Sequence, residues 1–354
     1  MSSAGSSARS VDVLIVSLGS TEGLRRADEE LLVSIERAGA RAEIARARAP
    51  APTRTLMLTD LAWARAARAA AGESLARMRR KPPKAIVYST ATAALLWSRP
   101  GAIRFDAPSS GNRPGRHGLW QRPLERRRLA QAPLLLPWSD GGLREVSSLD
   151  DHDHALVLPV PVEASGPPAP VRDIAALTYA ANPTKKGLSR VLAAWCALRG
   201  ERGSGAAPDE LVVAGASVEE LERAGFRVAA QDGIRVVGAL PTHEYRALVR
   251  RARVFVCAPR REDYGIAQLE ALADGCLLVS TPAPGPYVAL PIARELDARL
   301  VSEDLVGALR TALIDPPLGY QARAHAALSP FGRVACDRLV AEELLARLLV
   351  YPRG

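Results

Sequence analysis

Hydrophobic and polar positions follow two signatures that take turns along the chain. Short continuous apolar runs are each followed by longer stretches with apolar residues at helical spacing. The first run, residues 11–17, ends in the loop L-G-S-T-E-G, and residues 24–38 follow with Leu31, Leu32 and Ile35 on one helical face. Gly39 stands just past that pattern, where a helix C-cap is expected. Residues 41–47 predict a second strand, and 58–80 an Ala/Arg-rich helix stopped by Pro82 and Pro83. A strand at 84–89, a helix from Ala91, a helix over 122–132 and buried strands at 133–137 and 155–160 complete the first half. Between them, residues 105–121 are irregular and dense in Gly, Pro, Asn and Arg. Apolar strands separated by helices argue for a parallel sheet covered on both faces.

The run A-S-G-P-P-A-P-V at 164–171 is the clearest linker. Beyond it the alternation restarts, with strands predicted at 174–179, 210–214, 234–237, 254–257 and 277–280. Helices are predicted at 187–198, 218–224, 242–251 (Thr242 as N-cap) and after Glu262, with a last one over 331–350. The expected organisation is a disordered tail over 1–10, a first domain over 11–163 and a second over 172–330. Residues 331–354 form a terminal helical segment expected to cross back onto the first domain. The fold class expected is α/β, two Rossmann-like doubly wound domains with ligand sites at the carboxyl ends of their strands.

Composition narrows the function classes. With 354 residues and 48% hydrophobic content the chain is long enough for two packed cores. No apolar stretch approaches the length of a membrane-spanning helix, and the start M-S-S-A-G-S-S-A-R-S lacks the apolar centre of a signal peptide. A cytoplasmic location is therefore expected. Cys196, Cys257, Cys276 and Cys336 show no paired spacing and read as small residues in a reducing compartment, with no metal site. Asp151, His152, Asp153 and His154 read as a polar loop rather than metal ligands. Charge is uneven: residues 1–150 hold 24 Lys/Arg against 14 Asp/Glu, and residues 151–354 hold 23 against 24. A basic half points to phosphate-bearing partners or an anionic membrane. Only four cations are lysines, so coding bias explains part of the arginine excess equally well. No recognition fold or aromatic stacking pattern supports a nucleic-acid partner.

Candidate chemistry concentrates in residues 261–275, R-E-D-Y-G-I-A-Q-L-E-A-L-A-D-G. A glycine-containing loop running into a helix offers unpaired N–H groups and a dipole to an anion. Glu262 and Glu270 would repel that anion, yet with Glu262 before the helix and Glu270 about two turns along it they stand about 12 Å apart at helical rise, roughly the reach from a sugar across a pyrophosphate to a ribose. Carboxylates are good acceptors for sugar hydroxyls. The segment resembles the E-x7-E signature of retaining GT-B glycosyltransferases, particularly family 4, the glycosyl transferases group 1. Glu262, Tyr264, Gly265, Glu270, Ala271, Leu272, Ala273 and Gly275 stand at the matching places. A second match is 177–187, L-T-Y-A-A-N-P-T-K-K-G, where Lys186, beside Lys185, takes the position of the family's phosphate-binding lysine. The arginine that many relatives hold about six residues earlier is Ala180 here. A third match spans 236–259, whose loop Gly238-Ala239-Leu240 falls where the nucleotide base lies in the family.

The resemblance implies a GT-B enzyme, its two domains facing across a cleft, that moves a sugar from a nucleotide-diphosphate sugar to an acceptor hydroxyl with retention. It implies no cofactor and no metal. Glu262 and the turn Tyr264, Gly265, Ile266 and Ala267 would meet the donor sugar, Lys186 the departing diphosphate and Glu270 the ribose. In the first half the likeness is architectural. Gly19 and Ser20 would approach the donor phosphates, although the usual twin glycine is absent because Leu18 precedes Gly19. Asp106 falls where relatives keep a His or Asp beside the reacting sugar. Arg113, Arg116 and His117 are acceptor-side candidates, with backbone capping a slightly better account of His117 than catalysis. The run Arg126-Arg127-Arg128 reads as a solvated helix face. The acceptor stays open: a glycan, a small molecule or a lipid-linked sugar reached by peripheral docking at the inner face of the plasma membrane. A degenerate GT-B binding subunit is the alternative that Ala180 and the missing glycine favour. An epimerase or a phosphorylase would share the fold without explaining the E-x7-E spacing as well.

Overall fold

The computed structural model describes residues 10–113, 115–146, 154–202, 210–228 and 232–350. The expected tail, apart from Ser10, and the Asp151-His152-Asp153 loop lie outside the described residues. The chain divides into two compact units, one comprising 1–161 with 333–354 and the other 162–332.

The first unit is a five-stranded parallel sheet ordered β2-β1-β3-β4-β5. Its strands are β1 (Val13–Ser17), β2 (Ala42–Arg46), β3 (Ala85–Tyr88), β4 (Ala102–Phe105) and β5 (Leu135–Pro137). Strand residues alternate faces, and both faces are buried. Leu14, Val16, Tyr88, Ile103 and Phe105 point into one core, Val13, Ile15, Val87 and Leu136 into the other. The connecting helices are α1 (Glu22–Arg37), α2 (Leu56–Arg77), the single turns α3 (Ala91–Ala94) and α4 (Ser109–Asn112), α5 (Gln121–Gln131) and α6 (Asp140–Arg144). The Thr21 and Thr55 hydroxyls cap α1 and α2 by accepting from Leu24 N and Leu58 N.

The second unit is another five-stranded parallel sheet, ordered β10-β9-β6-β7-β8. It comprises β6 (Ile174–Tyr179), β7 (Leu211–Ala214), β8 (Ile234–Gly238), β9 (Ala252–Cys257) and β10 (Leu277–Ser280). Its helices are α7 (Leu188–Arg202), α8 (Val218–Arg223), α9 (Thr242–Arg251), α10 (Ile266–Ala273), α11 (Ala289–Asp297), α12 (Leu305–Ile314) and α13 (Tyr320–Ala327). Strand order reverses between β6 and β9, so the loops leaving those two strands part there and open a crevice of the kind that holds ligands in doubly wound sheets.

The terminal run begins with α14 (Arg333–Leu339), passes through a π turn (Val340–Leu344) and ends in α15 (Leu345–Val350). Val340, Leu344 and Leu348 belong to the same core as Val13 and Ile15, and Asp337 accepts from Ser34 Oγ at 2.5 Å and Arg37 at 2.8 Å. The expected single helix is therefore interrupted, and the interruption falls where the run packs on α1.

Three other expectations need correction. Residues 155–160 form only an isolated bridge from Ala155 to Leu135: Leu156 N and Leu158 N donate to Leu135 O and Pro137 O, both at 2.8 Å, but Pro137 has no N–H to return to this segment and the ladder is not completed. Thr242 is the first helical residue of α9; Pro241 precedes it and its carbonyl takes the Tyr245 N–H. Glu270 stands at the fifth residue of α10, little more than one turn in, because the helix begins only at Ile266.

One glycine fixes how the β6 and β9 loops meet. Gly187 has φ +65°, and a Cβ there would lie 1.8 Å from the Ala258 carbonyl oxygen. Gly187→Ala is expected to destabilise the second unit by on the order of 3 kcal/mol. Gly39→Ala, at φ +87° in open space, should cost about 1 kcal/mol. Denaturant titration of both variants checks this; equal midpoints would refute the contact.

Candidate functional site

The two loops at the strand-order reversal hold the residues singled out from sequence. The loop after β6 delivers Lys185 and Lys186, and the loop after β9 delivers Arg261, Glu262 and Asp263. Lys186 Nζ lies 2.6 Å from Glu262 Oε2, and Lys185 Nζ lies 2.8 Å from Asp263 Oδ2. Arg261 Nε adds a 2.7 Å bond to the other Asp263 oxygen. A backbone bond from Arg260 N to Lys185 O, 3.0 Å, joins the loops directly. Burial pushes the Asp263 carboxyl up, but Lys185 and Arg261 outweigh it and hold its pKa below the ordinary value.

The loop after β10 supports this cluster from behind. Glu262 N donates to Pro284 O at 3.1 Å, and a Cβ on Gly285 would lie 2.3 Å from Glu262 O. Tyr264 is buried, and its carbonyl takes the Val288 N–H at 3.1 Å. Gly265 precedes α10 in the left-handed region at φ +94°, with no side-chain cap on the helix. An L residue there would set its Cβ 2.9 Å from the Tyr287 ring. The helix therefore opens with the backbone N–H groups of Ile266, Ala267 and Gln268 ahead of its first internal bond, Leu269 N to Gly265 O. Tyr287 hydroxyl lies 3.1 Å from Ser280 Oγ and 3.4 Å from Cys257 Sγ, and burial raises both the phenol and the thiol above their ordinary pKa.

Glu270 faces a second buried cluster. Arg246 NH1 reaches Glu270 Oε1 at 3.1 Å, Arg246 Nε reaches Asp274 Oδ2 at 2.6 Å, and Arg246 NH2 donates to Glu163 O at 2.8 Å. Asp274 also accepts from Ser165 N at 2.7 Å. Removing one partner of such a buried ion pair costs about 3–5 kcal/mol, so Arg246 ties Glu270 and Asp274 into one set. Farther along the edge, Gly238 at φ +73° accepts from Gly215 N at 2.7 Å, and Ala239 and Leu240 follow it toward solvent.

Sequence reasoning missed Asp263, Arg261, Gln268, Arg246 and Asp274. One signal was present for Gln268: in I-A-Q-L-E-A-L-A it and Glu270 are the only polar residues. Gln268 is buried and its Nε2 donates to Glu262 Oε2 at 3.1 Å. Arg246 and Asp274 are recognisable only once α9 and α10 are folded together.

The first-unit candidates form separate groups. Gly19, at φ +56° after β1, accepts from Arg25 NH1 at 2.9 Å, and Ser20 is exposed beside it. Asp106 follows β4, half-buried, and accepts from Ala107 N at 2.8 Å. Arg113 makes a two-pronged pair with Asp60 at 2.8 and 3.1 Å, while Arg116 and His117 are exposed on a 3-10 turn. Arg113 thus anchors its segment to α2.

Residues 174–315 match the family model described as glycosyl transferases group 1. The match spans 142 of the 354 residues, from the start of β6 to just past α12. The whole chain is similar in fold to several solved structures. One is WaaG, a glycosyltransferase involved in lipopolysaccharide biosynthesis, at 15% identity and TM-score 0.66, covering 96% of this chain and 100% of that one. A sucrose-phosphate synthase from Thermosynechococcus elongatus gives 15% and 0.64, covering 96% and 99%. The E. coli trehalose-6-phosphate protein bound with UDP-2-fluoro glucose gives 11% and 0.65, covering 97% and 100%. Two doubly wound units in this order are the GT-B fold. A search of curated proteins gives no match.

The anchored 105–121 segment yields a pH prediction. Glu125 is buried and its Oε1 accepts from Ser109 N at 2.7 Å and Ser109 Oγ at 2.8 Å. Burial pushes its carboxyl up to about 7, against the pull of Ser109 and Arg113 and helped by Asp60. The unfolded chain loses this proton near 4.5 while the folded protein keeps it to about 7, so stability falls as pH rises through that window. The contribution is on the order of 3 kcal/mol. Glu125→Gln should remove it and be the more stable protein above pH 7. Denaturation at pH 5 and pH 8 measures the difference, and parallel pH dependence of the two proteins would refute it.

Proposed function

We propose that the chain is a retaining, metal-independent glycosyltransferase that moves a sugar from a nucleotide-diphosphate sugar to an acceptor hydroxyl. The observation that supports it most is the Lys186–Glu262 pair at the β6/β9 reversal, beside the uncapped start of α10. A diphosphate suits the N–H groups of Ile266 and Ala267 together with Lys186 and Lys185. Glu262 would accept hydrogen bonds from the donor-sugar hydroxyls, and Glu270, held in place by Arg246, from the ribose hydroxyls. Gly238, Ala239 and Leu240 would flank the base.

In this reading the bond from the anomeric carbon to the diphosphate oxygen breaks, and the departing diphosphate takes the electron pair. Lys186 stabilises the charge that develops there. The acceptor oxygen attacks the same face and gives its proton to the leaving phosphate oxygen. Catalysis is then electrostatic positioning, and the cations on this edge supply the positive charge that a metal ion would otherwise provide. Asp106, Gly19 and Ser20 would complete the donor environment, and Arg116 and His117 would meet the acceptor. Arg113, committed to Asp60, would hold that segment in shape.

The second reading is a non-catalytic GT-B binding subunit, which Ala180 favours: it is fully buried at the end of β6 and brings no charge. Thermal shift with UDP, GDP, ADP and their glucose conjugates, followed by donor hydrolysis, separates the readings. One nucleotide class should raise the melting temperature. Turnover should fall at least about a hundredfold in Glu262→Ala and Lys186→Ala. Binding without turnover would leave the subunit reading, and no binding at all would sink both.

Peripheral contact with an anionic membrane belongs to the same proposal and would place the chain at the inner face of the plasma membrane. No described helix is long and apolar enough to cross a membrane. In the first unit Leu119 is 62% exposed, in the same stretch as exposed Arg116, Arg126 and Arg127. Flotation with vesicles containing 30% phosphatidylglycerol should retain the protein at low salt, and Leu119→Ser with Arg126→Ser should release it. Equal flotation with neutral vesicles would refute the contact.

A further inference from the structure

We infer that Gln268 is a positioning residue that keeps Glu262 in place when Lys186 changes partner on donor binding. The inference rests on the donor-site reading above and adds a role for a residue outside its E-x7-E and lysine motifs. Both bonds to the Glu262 carboxylate fall on Oε2, from Lys186 Nζ at 2.6 Å and from Gln268 Nε2 at 3.1 Å. Glu262 is only 5% exposed. A diphosphate that draws Lys186 away would leave this carboxylate buried without its cation, an arrangement proteins avoid. Gln268 remains as its donor, so the carboxylate neither follows the lysine nor turns toward the phosphate it would repel.

Apolar packing on α10 does not by itself call for a glutamine here. Gln268 Oε1 is buried without a partner, and an unmade hydrogen bond at a buried carbonyl is costly. A leucine would fill the same space on α10 without that orphan. The orphan lies close to the turn glycine, 3.4 Å from where a Cβ on Gly265 would be. The other end of the amide donates to Glu262 Oε2 at 3.1 Å and to Cys257 Sγ at 3.8 Å, and the charge-assisted bond to the carboxylate is the stronger of the two. The ionisable groups around the pair are Lys186 from the β6 loop, Cys257 at the end of β9 and Tyr287 after β10, with Lys185, Arg261 and Asp263 alongside. Burial raises Cys257 and Tyr287, which keeps both neutral through the working range, so a change in binding with pH at residue 268 is readable there.

The test is calorimetric titration of UDP, GDP and ADP into wild type, Gln268→Leu and Gln268→Glu, with melting temperatures of the free proteins. In Gln268→Leu, Lys186 still holds Glu262 in the free state, so melting should hold steady or rise. Affinity for the nucleotide that binds wild type should fall roughly tenfold or more. In Gln268→Glu a protonated carboxyl can still donate to Glu262, so affinity should recover to within about threefold of wild type at pH 5.5. At pH 8 two carboxylates would hold Lys186, and affinity should fall below that of Gln268→Leu. Wild-type affinity in Gln268→Leu, or a loss in Gln268→Glu that does not change with pH, would overturn the role while leaving the donor site standing. If wild type binds none of the three, the donor-site reading fails and this inference fails with it.

Discussion

The chemistry of the second unit depends on how closely two loops approach. Gly187 sits against the Ala258 carbonyl with no room for a β-carbon, in a backbone conformation that L side chains avoid. That contact sets the loop after β6 on the loop after β9, and Lys185 and Lys186 directly precede the glycine that makes it. Their ion pairs with Asp263 and Glu262 follow from the register so imposed. The pairs are not independent ornaments of two loops. They are what the strand-order reversal between β6 and β9 brings together, at the end of the sheet where the backbone parts.

Charge in this region is arranged so that no buried carboxylate stands alone. Glu262 has Lys186 and Gln268, Asp263 has Lys185 and Arg261, and Glu270 and Asp274 share Arg246. Each set crosses between elements: the β6 loop with the β9 loop, or α9 with α10. Buried ion pairs contribute little net stability, and losing one partner is expensive. Such sets make the local arrangement an all-or-none property, which is what a site that must hold several hydroxyl acceptors at fixed positions requires.

Much of this was legible in the sequence. Strands β6 and β10 and helix α9 have the bounds that apolar runs predict, because strands buried on both faces leave little ambiguity. The E-D-Y-G turn and the K-K-G pair announced themselves because loops hold residue types that packing alone does not select. Three things were hidden. Residues 155–160 look like a strand by composition, and the missing N–H of Pro137 on the neighbouring β5 limits them to a bridge. Helices α11, α12 and α13 lie in the stretch after β10 where no motif drew the reading forward. The partners of the motif residues could not be read at all, since Arg246 lies 24 residues from Glu270 and Asp60 lies 53 from Arg113. Pairing across such separations belongs to topology rather than local pattern.

The absent arginine at Ala180 takes on a different meaning beside the clusters. Ala180 is enclosed at the end of β6, its N–H bound to Ala214 O at 2.7 Å. A guanidinium rooted there would have to leave that packing to reach the lysines. Arg261 instead comes from the neighbouring loop and is held by Asp263, which Lys185 also holds. Three cations and two carboxylates thus stand together, an excess of one positive charge in a largely buried setting. In the proposed reading a diphosphate entering such a place would meet cations already oriented, and each carboxylate it displaced would keep one further hydrogen-bond donor to offset the loss of its lysine. Glu262 has that second donor in Gln268 and Asp263 has it in Arg261, so neither lysine is irreplaceable to its carboxylate.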